Sequence, residues 1–145
     1  MTMINNFPIS KHIKKISIWL VFLVYLTIIL RLTIFRTALL DERQINLSLF
    51  IDLINIYRNA GLTPFIRLFF GNIAWFIPFG FFLPMIIKRN HFLIIILAGF
   101  LFSLVIETSQ FVFYKGVAEL DDLILNTSGV AIGYLLFMRA RFFKI

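Results

Sequence analysis

Four stretches of this chain, residues 16–35, 68–87, 92–114 and 122–138, are predominantly apolar, and polar segments separate them. A helix needs about 20 such residues to cross a bilayer. Inside hydrocarbon every backbone amide must find its partner within the protein, which leaves helices and closed barrels as the spanning structures. A soluble fold fails on composition, since 61% of the residues are hydrophobic and 14% charged, against about 45–50% apolar in ordinary soluble domains. The expected architecture is therefore all-α: a polytopic membrane protein with a bundle of four transmembrane helices. One domain, 16–138, carries the bundle, with a tail at 1–15 and a basic tail at 139–145. Lys11, Lys14 and Lys15 precede the first run, as in a signal peptide. That run is long and bulky and has no small-residue cleavage site, so it reads as an uncleaved first span.

The longest connection, 36–67, contains Ser48, Asp52, Asn55 and Asn59 at spacings of four, three and four. This is a polar stripe of helical period on a segment too short to span, which predicts a helix lying in the interface between the first and second spans. Orientation follows from the basic residues. With the N-terminus in the cytoplasm, one side collects Lys11, Lys14, Lys15, Lys88, Arg89, Arg139, Arg141 and Lys144, and no acid. The other side collects Arg36, Arg43, Arg58, Arg67 and Lys115 together with Asp41, Glu42, Asp52, Glu119, Asp121 and Asp122. Lys and Arg beside short loops favour the cytoplasm, so both termini are expected inside. The net charge of +7 is then a topology signal, with the bilayer as partner and no nucleic acid implied. There is no cysteine, and His12 and His91 fall on the side away from the acids. No metal site or cofactor is expected.

Ionisable groups within spans are costly and mark functional sites by default. Arg31, Asn72, Glu107, Asp122 and Asn126 come from four spans, and the expected topology places all of them in the outer half of the membrane. Ser103, Glu107, Gln110 and Tyr114 share one helical face by their spacing, and Asp122, Asn126, Gly129 and Gly133 share another. A shared, outward-opening pocket would explain this. Plainer roles compete: Asp122 as a helix cap, Glu107 with Arg31 as a structural ion pair, Arg31 reaching to the interface, and the two glycines as a packing surface.

The same residues carry a family resemblance. Asn72 with Phe76-Ile77-Pro78-Phe79-Gly80, Ile106-Glu107 with Gln110, and Asp121-Asp122 with Asn126-Thr127-x-Gly129 resemble the VanZ-like family of small bacterial membrane proteins. The segment Arg43-x-x-Asn46-Leu47-x-x-Phe50 is similar to the family's stretch before the second span. Leu49 stands where the family usually has proline, and Glu119 where an aspartate is common. The resemblance covers residues 16–138 and implies a bacterial cell membrane location and a link to reduced susceptibility to teicoplanin-type lipoglycopeptides. The residues then predict a pocket for a lipid headgroup, a lipid-linked cell-wall intermediate or a lipoglycopeptide, built from Arg31, Arg43, Asn72, Glu107, Gln110, Asp121, Asp122 and Asn126. Two alternatives stay open. One is an intramembrane enzyme using Glu107, Asp121 and Asp122 as acid and base on a lipid-linked substrate, and the other is a structural subunit of a membrane complex.

Overall fold

The computed structural model describes residues 11–35, 39–88 and 91–142. Most of the N-terminal tail, Arg36, Arg89 and Lys144 lie outside the described residues. The described chain forms five helices and one short pair of strands: α1 (Lys11–Thr33), β1 (Ile45–Asn46), α2 (Ile51–Ala60), α3 (Leu62–Ile87), α4 (Phe92–Val112), β2 (Ala118–Glu119) and α5 (Leu120–Phe142). Four of the helices, α1, α3, α4 and α5, are long and apolar enough to cross a membrane. Residues 11–15 and 139–142, expected in tails, are helical.

The departures have local causes. α3 begins six residues ahead of the expected span, at Leu62, because Gly61 with φ 89° breaks the helical path between α2 and α3. Pro64 then falls in the first turn of α3, where its missing N–H leaves no helical bond unmade. Further along, Pro78 and Pro84 sit inside α3 without ending it. The Tyr25 hydroxyl of α1 donates to the Trp75 carbonyl at 2.8 Å, close to the carbonyl that Pro78 frees one turn earlier. A neighbouring helix thus supplies polar contact where proline has disturbed the backbone ladder.

α3 and α5 pack closest. A Cβ on Gly129 would overlap the Ile73 carbonyl, and one on Gly133 the Ile77 carbonyl. Gly80 of α3 meets the Val130 carbonyl in the same way, and Gly99 of α4 meets the Val130 side chain. Small residues four apart let two backbones approach, and dispersion between them holds helices together where lipid is as apolar as leucine. Around this seam Phe22, Phe76, Phe79, Ile95, Ile106 and Val130 form the buried core. Phe79 stacks on Phe102 at 5.1 Å and meets Phe22 of α1 at 5.7 Å. α1 is peripheral by comparison, with Trp19, Leu20, Leu23 and Val24 exposed.

Beyond the helices, β1 pairs with β2 in parallel, Ile45 opposite Ala118 and Asn46 opposite Glu119. The hairpin expected at 115–121 therefore carries a strand as well as a turn. Two further bonds, Leu40 N–H to the Tyr114 carbonyl at 2.8 Å and Ala118 N–H to the Gln44 carbonyl at 3.0 Å, tie the same two connections together. Segments far apart in sequence thus close over one end of the bundle.

Candidate functional site

At that closed end, where α1 and α4 stop and α3 and α5 start, the helices leave a cavity of about 530 Å³. Its apolar wall comes from Ile29 and Leu32 of α1, Leu53 of α2, and Leu68, Trp75 and Phe76 of α3. Its polar lining comes from Asn72, Glu107, Gln110, Asp122 and Asn126, joined by Asp52, Lys115 and Glu119. The stripe on α4 explains half of this. Ser103, Glu107 and Gln110 follow one another at helical spacing and are 0%, 6% and 8% exposed. The stripe on α5 supplies Asp122 and Asn126 on the face that also carries the glycines.

Hydrogen bonds fix these groups. Asn126 donates to the Ser103 hydroxyl at 2.9 Å, a buried link between α4 and α5. Asn72 donates its amide to Asp122, linking α3 to α5. The Glu119 backbone N–H donates to Glu107 Oε2 at 3.0 Å, so the carboxylate inside α4 anchors β2. That bond gives the acid a donor inside the apolar bundle, where a side-chain oxygen left without one would be costly.

Asp121 is 2% exposed and does not line the cavity. The Phe50 N–H donates to both of its oxygens, at 2.9 and 3.0 Å. Phe50 precedes the first residue of α2, so the carboxylate meets the positive end of that helix. Phe50 also has φ 56°, a left-handed backbone that an aromatic residue adopts at a cost of about 1–3 kcal/mol. Two neighbours prepare the same turn: Asn46 accepts from the Ser48 N–H at 3.0 Å and donates its amide to Asp52.

The family model described as VanZ/LLP1 matches residues 17–143. The chain belongs to the VanZ-like family. A relative named Protein VanZ, from Enterococcus faecium, is 35% identical over 85 residues, covering 55% of this chain and 53% of that protein. The chain thus spans about half the length of the curated relative it matches. No solved structure matches. Four helices of spanning length in a VanZ-like chain make it a multi-pass membrane protein.

The VanZ-like motifs, distant in sequence, meet at the cavity: Asn72, Glu107, Gln110, Asp122 and Asn126 line it, and Asp121 with Phe50 closes the turn beside it. The two arginines stand apart. Arg31 is exposed on α1 and is not among the lining residues, so an arginine counter-charge from this position does not face the cavity. The Arg43 guanidinium lies over the rings of Tyr114, at 5.0 Å, and Phe111, at 5.7 Å, and holds the connection against the end of α4. Asp52, Lys115 and Glu119 also line the cavity, although the sequence reading placed none of them in the pocket. They come from α2, from the turn after α4 and from β2, and no helical period links these segments to the polar faces of α4 and α5. Burial raises the Glu119 carboxyl above the ordinary carboxylate range, and the charges of Asp121 and Asp52 push it the same way.

Proposed function

We propose that this VanZ-like protein holds the polar end of an amphiphile in a cavity that opens at the outer face of the membrane. The ligand classes that suit it are a lipid, a lipid-linked cell-wall intermediate or a lipidated glycopeptide. Through that binding the protein lowers susceptibility to teicoplanin-type compounds. The observation that carries the proposal is one cavity of about 530 Å³ with an apolar wall from α1 and α3 and a hydrogen-bonding lining from α3, α4 and α5. Small-molecule pockets run from about 300 to 1,000 Å³ and combine such walls with a few placed polar groups.

The orientation belongs to the same proposal. Lys14, Lys15, Lys88, Arg139 and Arg141 gather at the end of the bundle opposite the cavity, which supports cytoplasmic termini. α2 then lies in the outer interface, with Leu53 buried against the protein and Asp52, Asn55 and Asn59 exposed. A single cysteine at Val117, in a chain without native cysteine, is expected to react with an impermeant reagent on intact cells. Labelling only after permeabilisation reverses the topology and removes the outward-facing site.

The functional test compares wild type with Glu107→Gln at matched membrane abundance. The expected outcome is raised tolerance of teicoplanin-type compounds with the wild type and none with the variant. Equal tolerance from both would show that the cavity is not responsible.

A further inference from the structure

The charge of the lining narrows the ligand. Among the described residues it holds four carboxylates, Asp52, Glu107, Glu119 and Asp122, and one cation, Lys115. Asp52 and Asp122 each receive an asparagine amide, and Glu107 a backbone N–H. Gln110 and Glu119 differ. Gln110 is only 8% exposed and lines the cavity, yet among the described residues no hydrogen bond reaches its side-chain amide. Glu119 is half-buried in the same lining, and among the described residues its carboxylate also lacks a hydrogen bond. The two lie close along the wall. The Glu119 N–H is bonded to Glu107, one helical turn before Gln110 on the same face of α4.

Among the described residues no buried side-chain nitrogen or oxygen lacks a partner, so the unbonded polar atoms of Gln110 and Glu119 face the open cavity rather than packed protein. Their placement toward an open volume makes them acceptors awaiting a donor. An ammonium group presents three donors and no acceptor, and its charge offsets the surrounding acids. A phosphate or carboxylate at the same spot would face like charge at low dielectric.

Resting on the amphiphile reading above, we propose that the cavity binds the ammonium headgroup of an amphiphile, with the Glu119 carboxylate and the Gln110 carbonyl oxygen as its acceptors. The first methylenes of the acyl chain lie on Leu32, Leu68 and Trp75, the apolar wall of the same cavity. Lys115 remains available to a phosphate in the same headgroup.

The test uses the full chain in a neutral maltoside detergent, with bound lipid counted by native mass spectrometry. Phosphatidylethanolamine and phosphatidylglycerol of identical acyl chains share the phosphate and differ in the ammonium. The expected result is retention of phosphatidylethanolamine at about tenfold lower concentration, the worth of one charge-assisted hydrogen bond. Glu119→Gln should bring the two lipids level, and Val117→Trp, which adds bulk to a residue of the lining, should release both. Phosphatidylglycerol held as tightly as phosphatidylethanolamine by the wild type would overturn the ammonium assignment and leave the amphiphile reading standing. Retention unchanged in Val117→Trp would show that the lipid is annular and sink both. Free ethanolamine, added as a competitor, is expected to displace little lipid. Displacement at equal concentration would remove the acyl chain from the proposal.

Discussion

The seam between α3 and α5 and the cavity at the end of the same two helices follow opposite designs. Along the seam, glycines bring backbone against backbone, so there is no room for a side chain and no polar side chain is needed. Immediately beside the seam, one residue before Ile73 on α3, Asn72 bonds to Asp122 and holds the same two helices by a hydrogen bond. Close packing is the main attraction available to apolar helices in lipid, because burial from water contributes little there. The seam can therefore carry stability and leave the cavity end free to accommodate groups that packing alone would exclude.

This contrast is broken most severely at the seam. Gly129→Leu would drive a side chain into the Ile73 carbonyl, and backbone cannot move aside as a side chain would. The expected cost is about 3 kcal/mol, the upper end for overpacking, read as a loss of folded protein in the membrane. Normal abundance and melting for this variant would show that the helices do not rely on close approach.

Next in size is Asp121→Ala. It removes both acceptors of the Phe50 N–H at a site that is 2% exposed. Loss of a charged hydrogen bond and an orphaned donor together are worth about 2–3 kcal/mol. The effect should be local: faster amide exchange across α2 and 45–50, with α3 and α5 protected as before. Uniform loss of protection would mean that the cavity end is as much a part of the core as the seam.

The spans were legible from the length of their apolar runs, and the shared polar faces from their helical period. Twenty apolar residues need no context to read as a span, and Ser103, Glu107 and Gln110 declare one helical face. The glycine pair on α5 was legible as small residues in register, although the carbonyls that they meet on α3 were not. What escaped was set by tertiary contact. The β1–β2 pairing joins residues more than seventy apart, and two-residue strands have no alternation to read. Glu119 and Lys115 reach the cavity only because that pairing brings the loop over it. Arg31 shows the converse. Depth alone suggested a partner for it, but the turn of α1 leaves it exposed.

The smaller perturbations sharpen the division. Glu107→Gln keeps shape and one acceptor for the Glu119 N–H, so abundance should stay near wild type while lipid retention and antibiotic tolerance fall. Arg31→Gln, an exposed change outside the cavity, is expected within about 0.5 kcal/mol of wild type with function retained. A large stability loss for Glu107→Gln, repaired by adding Arg31→Gln, would recast the acid as half of a structural pair.

The subtlest effect is the pH dependence contributed by Glu119. Its carboxyl is raised above the ordinary value of 4.5, first by burial and then by Asp121 and Asp52. The folded chain therefore holds this proton more tightly than the unfolded chain does. By linkage, its contribution to stability is fully present below pH 4.5 and is lost as pH rises through the raised value. Other carboxylates at this end, such as Asp121 with its two backbone bonds, should favour the opposite slope, so the variant is compared with wild type. The melting difference, wild type minus Glu119→Gln, should become more negative from pH 4.5 towards neutrality. Saturating phosphatidylethanolamine should flatten that trend, because an ammonium beside Glu119 favours its ionised form. Phosphatidylglycerol should leave it unchanged. A difference that is level with pH in the empty protein would mean that Glu119 is as well solvated as any loop carboxylate. The cavity end would then lack the unrelieved charge that distinguishes it from the seam.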